Sequence, residues 1–198
     1  MIGRYSKLSK FCALLLLLVG GCASKTQATR YYLLSDPGLS TGSNLAQVAS
    51  DVQCVARAGV VSIAPYLQRT HIVLQSGTNE LVPALQHRWS EPLDAGISRL
   101  LGTCLGGNAD APYRADVTVD HLHGNTNGSV VLQAHWSING GKPAVESAAD
   151  ASTQVPAAGN FSATLPQPVA GYDALVSTQR ELVLGLCADI RAALPGCR

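Results

Sequence analysis

Apolar residues along this chain follow three rhythms: one unbroken run, several alternating segments, and two stripes spaced three and four apart. Alternation puts every second side chain on one face of a strand, while the wider spacing builds one face of a helix. Seven segments read as strands. Arg30 to Leu34 is the first, its Tyr31-Tyr32-Leu33-Leu34 favouring extended backbone. A Pro/Gly/Ser loop covers Asp36 to Asn44, and a second strand runs from about Gln53 to Ile63, ending at Ala64-Pro65. His71 to Gln75 and Glu80 to His87 are joined by Ser76-Gly77-Thr78-Asn79, the composition of a hairpin turn. Ala115 to Leu122 and Ser129 to Ile138 are linked by Gly124-Asn125-Thr126-Asn127-Gly128, and Asn160 to Leu165 is a further short strand.

Two stripes read as amphipathic helices. Leu93, Ile97, Leu100, Leu101, Cys104 and Leu105 form the first, after Ser90-Glu91-Pro92 with a capping serine and an early proline; Gly106-Gly107 stops it. The second starts at about Tyr172, carries Leu175, Leu182, Val183, Leu186, Ile190 and Leu194 on one face, and ends at Pro195-Gly196. Strands, helix, strands, helix predicts an α+β fold: a largely antiparallel sheet with both helices packed on one face, in two similar β-rich/α halves. No residue-level repeat accompanies that duplication.

The unbroken run lies at the N-terminus. Arg4, Lys7 and Lys10 precede an apolar stretch from Phe11 to Val19, which closes on Val19-Gly20-Gly21-Cys22. A basic start, a short apolar core and a small-residue exit mark a secretory signal. A transmembrane helix needs about 20 apolar residues, and this run has roughly half that. Small residues just before a cysteine resemble a lipobox, so residues 1–21 are expected to be removed and Cys22 acylated. Acyl chains at roughly 0.8 kcal/mol per buried methylene make such anchoring effectively permanent. Residues 22–29, polar and small, read as a flexible tether, and 30–198 as a single domain. Ala23 and Ser24 follow the cysteine where an aspartate would favour inner-membrane retention, which resembles an outer-membrane address facing the periplasm.

Charge and cysteines narrow the classes. The chain carries 14 Lys and Arg against 13 Asp and Glu. Without the three basic residues of the leader the counts are 11 against 13, a balance of −2 with histidines neutral. Nucleic-acid binding needs a basic stripe, and none is present. Besides Cys12 and Cys22, four cysteines remain: Cys54, Cys104, Cys187 and Cys197. In an oxidising compartment an even count points to two disulfides, for which three pairings exist, with buried free thiols as the alternative. Cys104 and Cys187 each lie on the apolar side of a helix, which favours their pairing with each other. The spacings fit no zinc motif.

The sequence contains no HExxH, P-loop or dinucleotide-binding glycine pattern, so an enzyme is not expected. His121, His123 and His135 lie on one hairpin, and the first two share a strand face. No acidic or thiol partner accompanies them at a metal-binding spacing, so solvated or hydrogen-bonded histidines are expected, with no metal and no cofactor beyond the lipid on Cys22. Asp116 and Asp120 alternate with Val117 and Val119, as on a strand with one polar face. Trp89 and Trp136 are expected in packing roles.

Particular segments resemble a family. Tyr31-Tyr32-Leu33-Leu34 soon after the lipobox is followed by Ile63-Ala64-Pro65-Tyr66-Leu67-Gln68-Arg69 and His71-Ile72-Val73. Ser76-Gly77-Thr78-Asn79-Glu80-Leu81 and His87-Arg88-Trp89-Ser90-Glu91-Pro92-Leu93 come next. This order resembles the PqiC/YmbA family of ABC-type transport auxiliary lipoproteins, most clearly over residues 31 to 105. The resemblance implies a non-enzymatic subunit accompanying an MCE/ABC-type intermembrane lipid transport system. Its implied partners are an MCE-domain periplasmic protein, with that protein's inner-membrane partners, and the membrane itself through the acyl anchor. The implied task is docking the periplasmic conduit at the outer membrane and supporting envelope integrity, and ring-like self-association would suit a symmetric conduit. The corner at Arg88, Trp89 and Glu91 is the candidate partner contact, against a purely structural corner in which Trp89 packs inward, Ser90 caps and Pro92 pre-sets the helix turn. A structural or assembly lipoprotein of another envelope complex, or a carrier holding lipid in its own cavity, is the alternative.

Overall fold

A computed structural model describes residues 27–34, 55–140 and 157–194. The leader, Cys22, Cys54, Cys197, the 36–44 loop and the Pro195-Gly196 stop lie outside the described residues. The strands are β1 (Arg30–Tyr32), β2 (Ala56–Ile63), β3 (His71–Ser76), β4 (Glu80–Trp89), β5 (Tyr113–Asn125), β6 (Ser129–Gly140) and β7 (Ala158–Pro166). Helix α1 spans Leu93–Leu105 and helix α2 spans Tyr172–Ala192. Strands followed by a helix thus occur twice, as the residue pattern predicts. No described helix is long and apolar enough to cross a membrane.

One seven-stranded sheet runs in the order β1-β4-β3-β5-β6-β7, with β2 also on β5. The long ladders, β5 with β6 and β6 with β7, are antiparallel, as is the β3–β4 hairpin. Three joins are parallel: β1 to β4, β2 to β5, and β3 to β5. The sheet is therefore mixed, and the parallel joins have a local cause. β2 lies along residues 113–119 of β5, and β3 meets the same side of β5 at Gly124 and Asn125. Between them a 3₁₀ turn, Pro65–Leu67, interrupts what would be one strand. Pro65 has no N–H to give to a ladder.

Both helices cover one face. Leu93, Ile97, Leu100, Leu101 and Leu105 of α1 are buried, as are Leu175, Leu182, Val183, Leu186 and Ile190 of α2. They close over Val117, Val119, Leu122, Leu132 and Ile138 of the sheet. Helix α1 ends where expected, at Gly106 with φ 71°, the left-handed conformation that glycine adopts without strain. Gly107 then passes so close to the Ala56 carbonyl that a side chain there would collide.

Cross-links fasten α2 to the rest. Trp136 Nε1 donates to Asp189 Oδ2 at 2.8 Å, fixing β6 to the helix. Arg191 donates to the Cys104 carbonyl at 3.2 Å, placing a cation beside the C-terminal end of α1, where the helix dipole favours it. The Sγ atoms of Cys104 and Cys187 stand 2.06 Å apart, disulfide distance, between the two helices.

Candidate functional site

The segment from His87 to Leu93 turns the chain from β4 into α1, and the turn is built around β1. Trp89 pairs with Tyr32 in the parallel β1–β4 register. Its side chain is buried, and its backbone N–H donates to the Thr70 carbonyl at 2.7 Å. Ser90 does not cap α1 as the sequence predicts. Both its N–H and its hydroxyl donate to the Tyr32 carbonyl, at 2.9 and 2.7 Å. The N-cap position falls to Pro92, with no side-chain cap. Ser90 is diverted because β1 ends beside it, and the Tyr32 carbonyl at that strand end takes up both of its donors.

Glu91 is held by a two-pronged ion pair with Arg99, at 2.9 and 2.5 Å, one turn into the helix and beyond. Arg88 pairs in register with Tyr31 on one side and His71 on the other, and its Nε is buried without a hydrogen-bond partner among the described residues. Of the three residues proposed for partner contact, Trp89 faces the core, Glu91 is engaged by Arg99, and Arg88 lies half-buried in the sheet.

The same corner immobilises the N-terminal strand at further points. The Tyr32 hydroxyl is hydrogen bonded to His87 Nδ1 at 2.8 Å. His87 stacks on Tyr172, the first residue of α2, with ring centroids 3.6 Å apart and planes 15° from parallel. Desolvation, followed by the nearby Arg30 charge, lowers the His87 pKa from its ordinary value. Leu34 is fully buried, and its carbonyl accepts from Arg180 Nε at 2.8 Å. Between Tyr32 and Leu34 the chain is therefore bolted to β4, to the turn after it and to α2 together. Arg180 and Tyr172 carried no local signal: they lie on a helix remote in sequence, and only tertiary contact gives them this role.

The sheet face opposite the helices carries the polar residues. A bulge between Val119 and His121 inserts a residue into β5, so that Asp116, Asp120, His121 and His123 are distributed around it rather than in simple alternation. Asp116 accepts from Val60 N–H, Arg114 and Asn139 at 2.7, 2.8 and 2.9 Å. Burial alone would raise its pKa, but the Val60 and Arg114 contacts prevail and hold it below the ordinary carboxylate value. His135 Nε2 lies 2.9 Å from Asp120 Oδ2, while its Nδ1 bonds Asn160 at 2.7 Å. Among the described residues no three His, Cys, Asp or Glu side chains converge in a way that could hold a metal ion.

Known structures share this architecture. A crystal structure described only as that of an uncharacterized protein superposes with a TM-score of 0.63 at 21% identity, covering 84% of this chain and 98% of that one. A Xanthomonas campestris protein of the DUF330 family superposes with a TM-score of 0.55 at 12% identity, covering 83% of this chain and 91% of that one. At these identities the likeness is one of fold. No curated protein matches the sequence. The profile of the family described as the ABC-type transport auxiliary lipoprotein component matches residues 32–191, from the last residue of β1 to the end of α2. That is a family of transport accessory lipoproteins, not of enzymes. This chain belongs to it: it is an ABC-type transport auxiliary lipoprotein of the PqiC/YmbA type.

Proposed function

We propose that this lipoprotein is anchored through Cys22 at the periplasmic face of the outer membrane, as the accessory subunit of an MCE/ABC-type intermembrane lipid transport system. Its task there is to dock the periplasmic conduit and so support envelope integrity. The family match over residues 32–191 carries this reading. The leader and the corner support it. Seven residues separate Cys22 from Arg30, a span of at most about 29 Å when extended, so an acylated Cys22 holds the folded body close to the bilayer. Any pull along that tether arrives at β1, where Ser90, His87 and Arg180 fasten the strand. A docking module under lateral load needs such a fixed attachment.

The conduit-facing contact in this reading includes Arg88 and the Glu91–Arg99 pair, with Trp89 supporting them from beneath. The test is co-purification of the acylated, detergent-extracted protein with an MCE-domain protein. Capture of that protein is expected, reduced by Arg88→Ala or Glu91→Gln in variants that remain folded. Capture of an unrelated envelope complex, with no MCE-domain protein, would replace the transport reading with an assembly role. Unchanged capture by the folded variants would leave the corner purely structural.

A further inference from the structure

On the sheet face away from the helices, β3 to β7 and the β3–β4 turn line an open hollow of ≈ 400 Å³. That lies within the range of about 300–1,000 Å³ typical of small-ligand sites. Its polar lining comes from Gln75 and Asn79, from His121, His123 and Asn125 on β5, and from Gln133 on β6. None of the residues lining it carries a carboxylate, an ammonium or a guanidinium. Leu81 and Val131 add small apolar patches.

The hydrogen-bonding character of this lining can be worked out atom by atom. The Tyr66 hydroxyl donates its one proton to the Asp120 carbonyl at 3.1 Å. Its oxygen also lies 3.2 Å from His121 Nδ1, and with the proton already committed it can only accept there. His121 Nδ1 therefore carries a hydrogen. His123, edge-on to His121 with centroids 5.8 Å apart, is 4% exposed. Its Nδ1 and the Asn125 Oδ1 make no hydrogen bond of good geometry among the described residues, and the Asn125 side chain acts on His123 only as a weak partner. Buried polar atoms are normally well paired, so a couple left with such loose geometry on the wall of one hollow points to a further partner that belongs there.

The ligand class follows from what the wall lacks as well as from what it offers. A phosphate or carboxylate would call for a cation, and a cation would call for a carboxylate. Amides and imidazoles instead match groups that donate and accept at once. Hydroxyl groups do so, and the C–H faces of a polyol suit Leu81 and Val131. We infer that this hollow binds an uncharged, polyhydroxylated group. The envelope location proposed above leaves two sources, a sugar ring of a glycan or the polyol headgroup of a lipid.

The test is a titration of the detergent-solubilised mature protein, observed through its histidine imidazole NMR signals. The probes are chitotriose, glycerophosphoglycerol and inorganic phosphate. Saturable shifts at His121 and His123 with chitotriose assign a glycan, and with glycerophosphoglycerol alone they assign a lipid headgroup. Gln133→Leu, at an exposed position on β6, should weaken either by about tenfold, the value of one good hydrogen bond. A response to inorganic phosphate equal to that of glycerophosphoglycerol overturns the uncharged reading, and silence with all three probes overturns the site. Failure to capture a conduit protein leaves this result untouched, so the two proposals fail separately.

Discussion

Arg180 Nε donates to the backbone carbonyl of Leu34 at 2.8 Å, across 146 residues of sequence. The bond fixes the start of the folded body to the middle of its last helix. Hydrogen bonds from charged donors contribute about 1.5–3 kcal/mol, and the Leu34 carbonyl leaves a buried acceptor when the donor is removed. Arg180→Met is therefore expected to cost about 1–3 kcal/mol and to speed amide exchange around Tyr32 to Leu34 more than in β5 or β6. Uniform exchange in all strands would remove the clamp from the account.

Trp136 gives a second local test. Its indole N–H depends on Asp189, and Gly159 on the neighbouring strand passes directly against its ring, where an added methyl would stand 2.5 Å from Cζ2. Asp189→Asn retains an acceptor and is expected to be mild. Asp189→Leu orphans the indole N–H and should cost about 1–3 kcal/mol. Gly159→Ala forces the ring to move and should cost about 1–3 kcal/mol. Chemical denaturation of the three variants ranks them directly, and an Asn variant as unstable as the Leu variant contradicts the assignment.

The Cys104–Cys187 pair is expected to be oxidised in protein exported to the periplasm. Peptide mapping without reductant should recover the peptides containing these two residues as one linked species. The double variant Cys104→Ala, Cys187→Ala should lose about 2–4 kcal/mol, since an 83-residue loop is released in the unfolded chain. Recovery of both as free thiols from exported protein would contradict this.

Two histidines set a pH dependence. Desolvation, then Arg30, lowers the His87 pKa, and burial lowers that of His123. Between each folded value and the ordinary 6.5 the unfolded chain binds more protons than the folded one. Stability should therefore fall as pH drops through that window and level off below it. Melting temperatures measured from neutral to mildly acidic pH should show this decline, and His87→Phe, which keeps the stack on Tyr172, should flatten part of it. A melting temperature that rises on acidification would reverse the assigned sign.

Strand positions were readable because alternation survives single-residue inspection: the segments at 71–75, 129–138 and 160–165 fall inside β3, β6 and β7. Both helices were readable for the same reason, their stripes being the buried faces. The β5 bulge was not, since one extra residue between Val119 and His121 leaves the polar/apolar rhythm nearly intact while changing what each side chain meets. Ser90 misled because its sequence context is that of a cap, and only the position of the Tyr32 carbonyl redirects it. The polar hollow was hidden most fully. His121 and His123 could be placed on one strand, but Gln75, Asn79 and Gln133 join them only through strand order.

On the function proposed above, this fold works from a membrane surface, through a lipid on Cys22. Intact mass analysis of the protein extracted from the membrane fraction tests it most directly. A chain beginning at Cys22 and carrying acyl groups, recovered with outer-membrane material, is the expected result. A chain that retains Met1 without lipid, found in the cytosol, would contradict it.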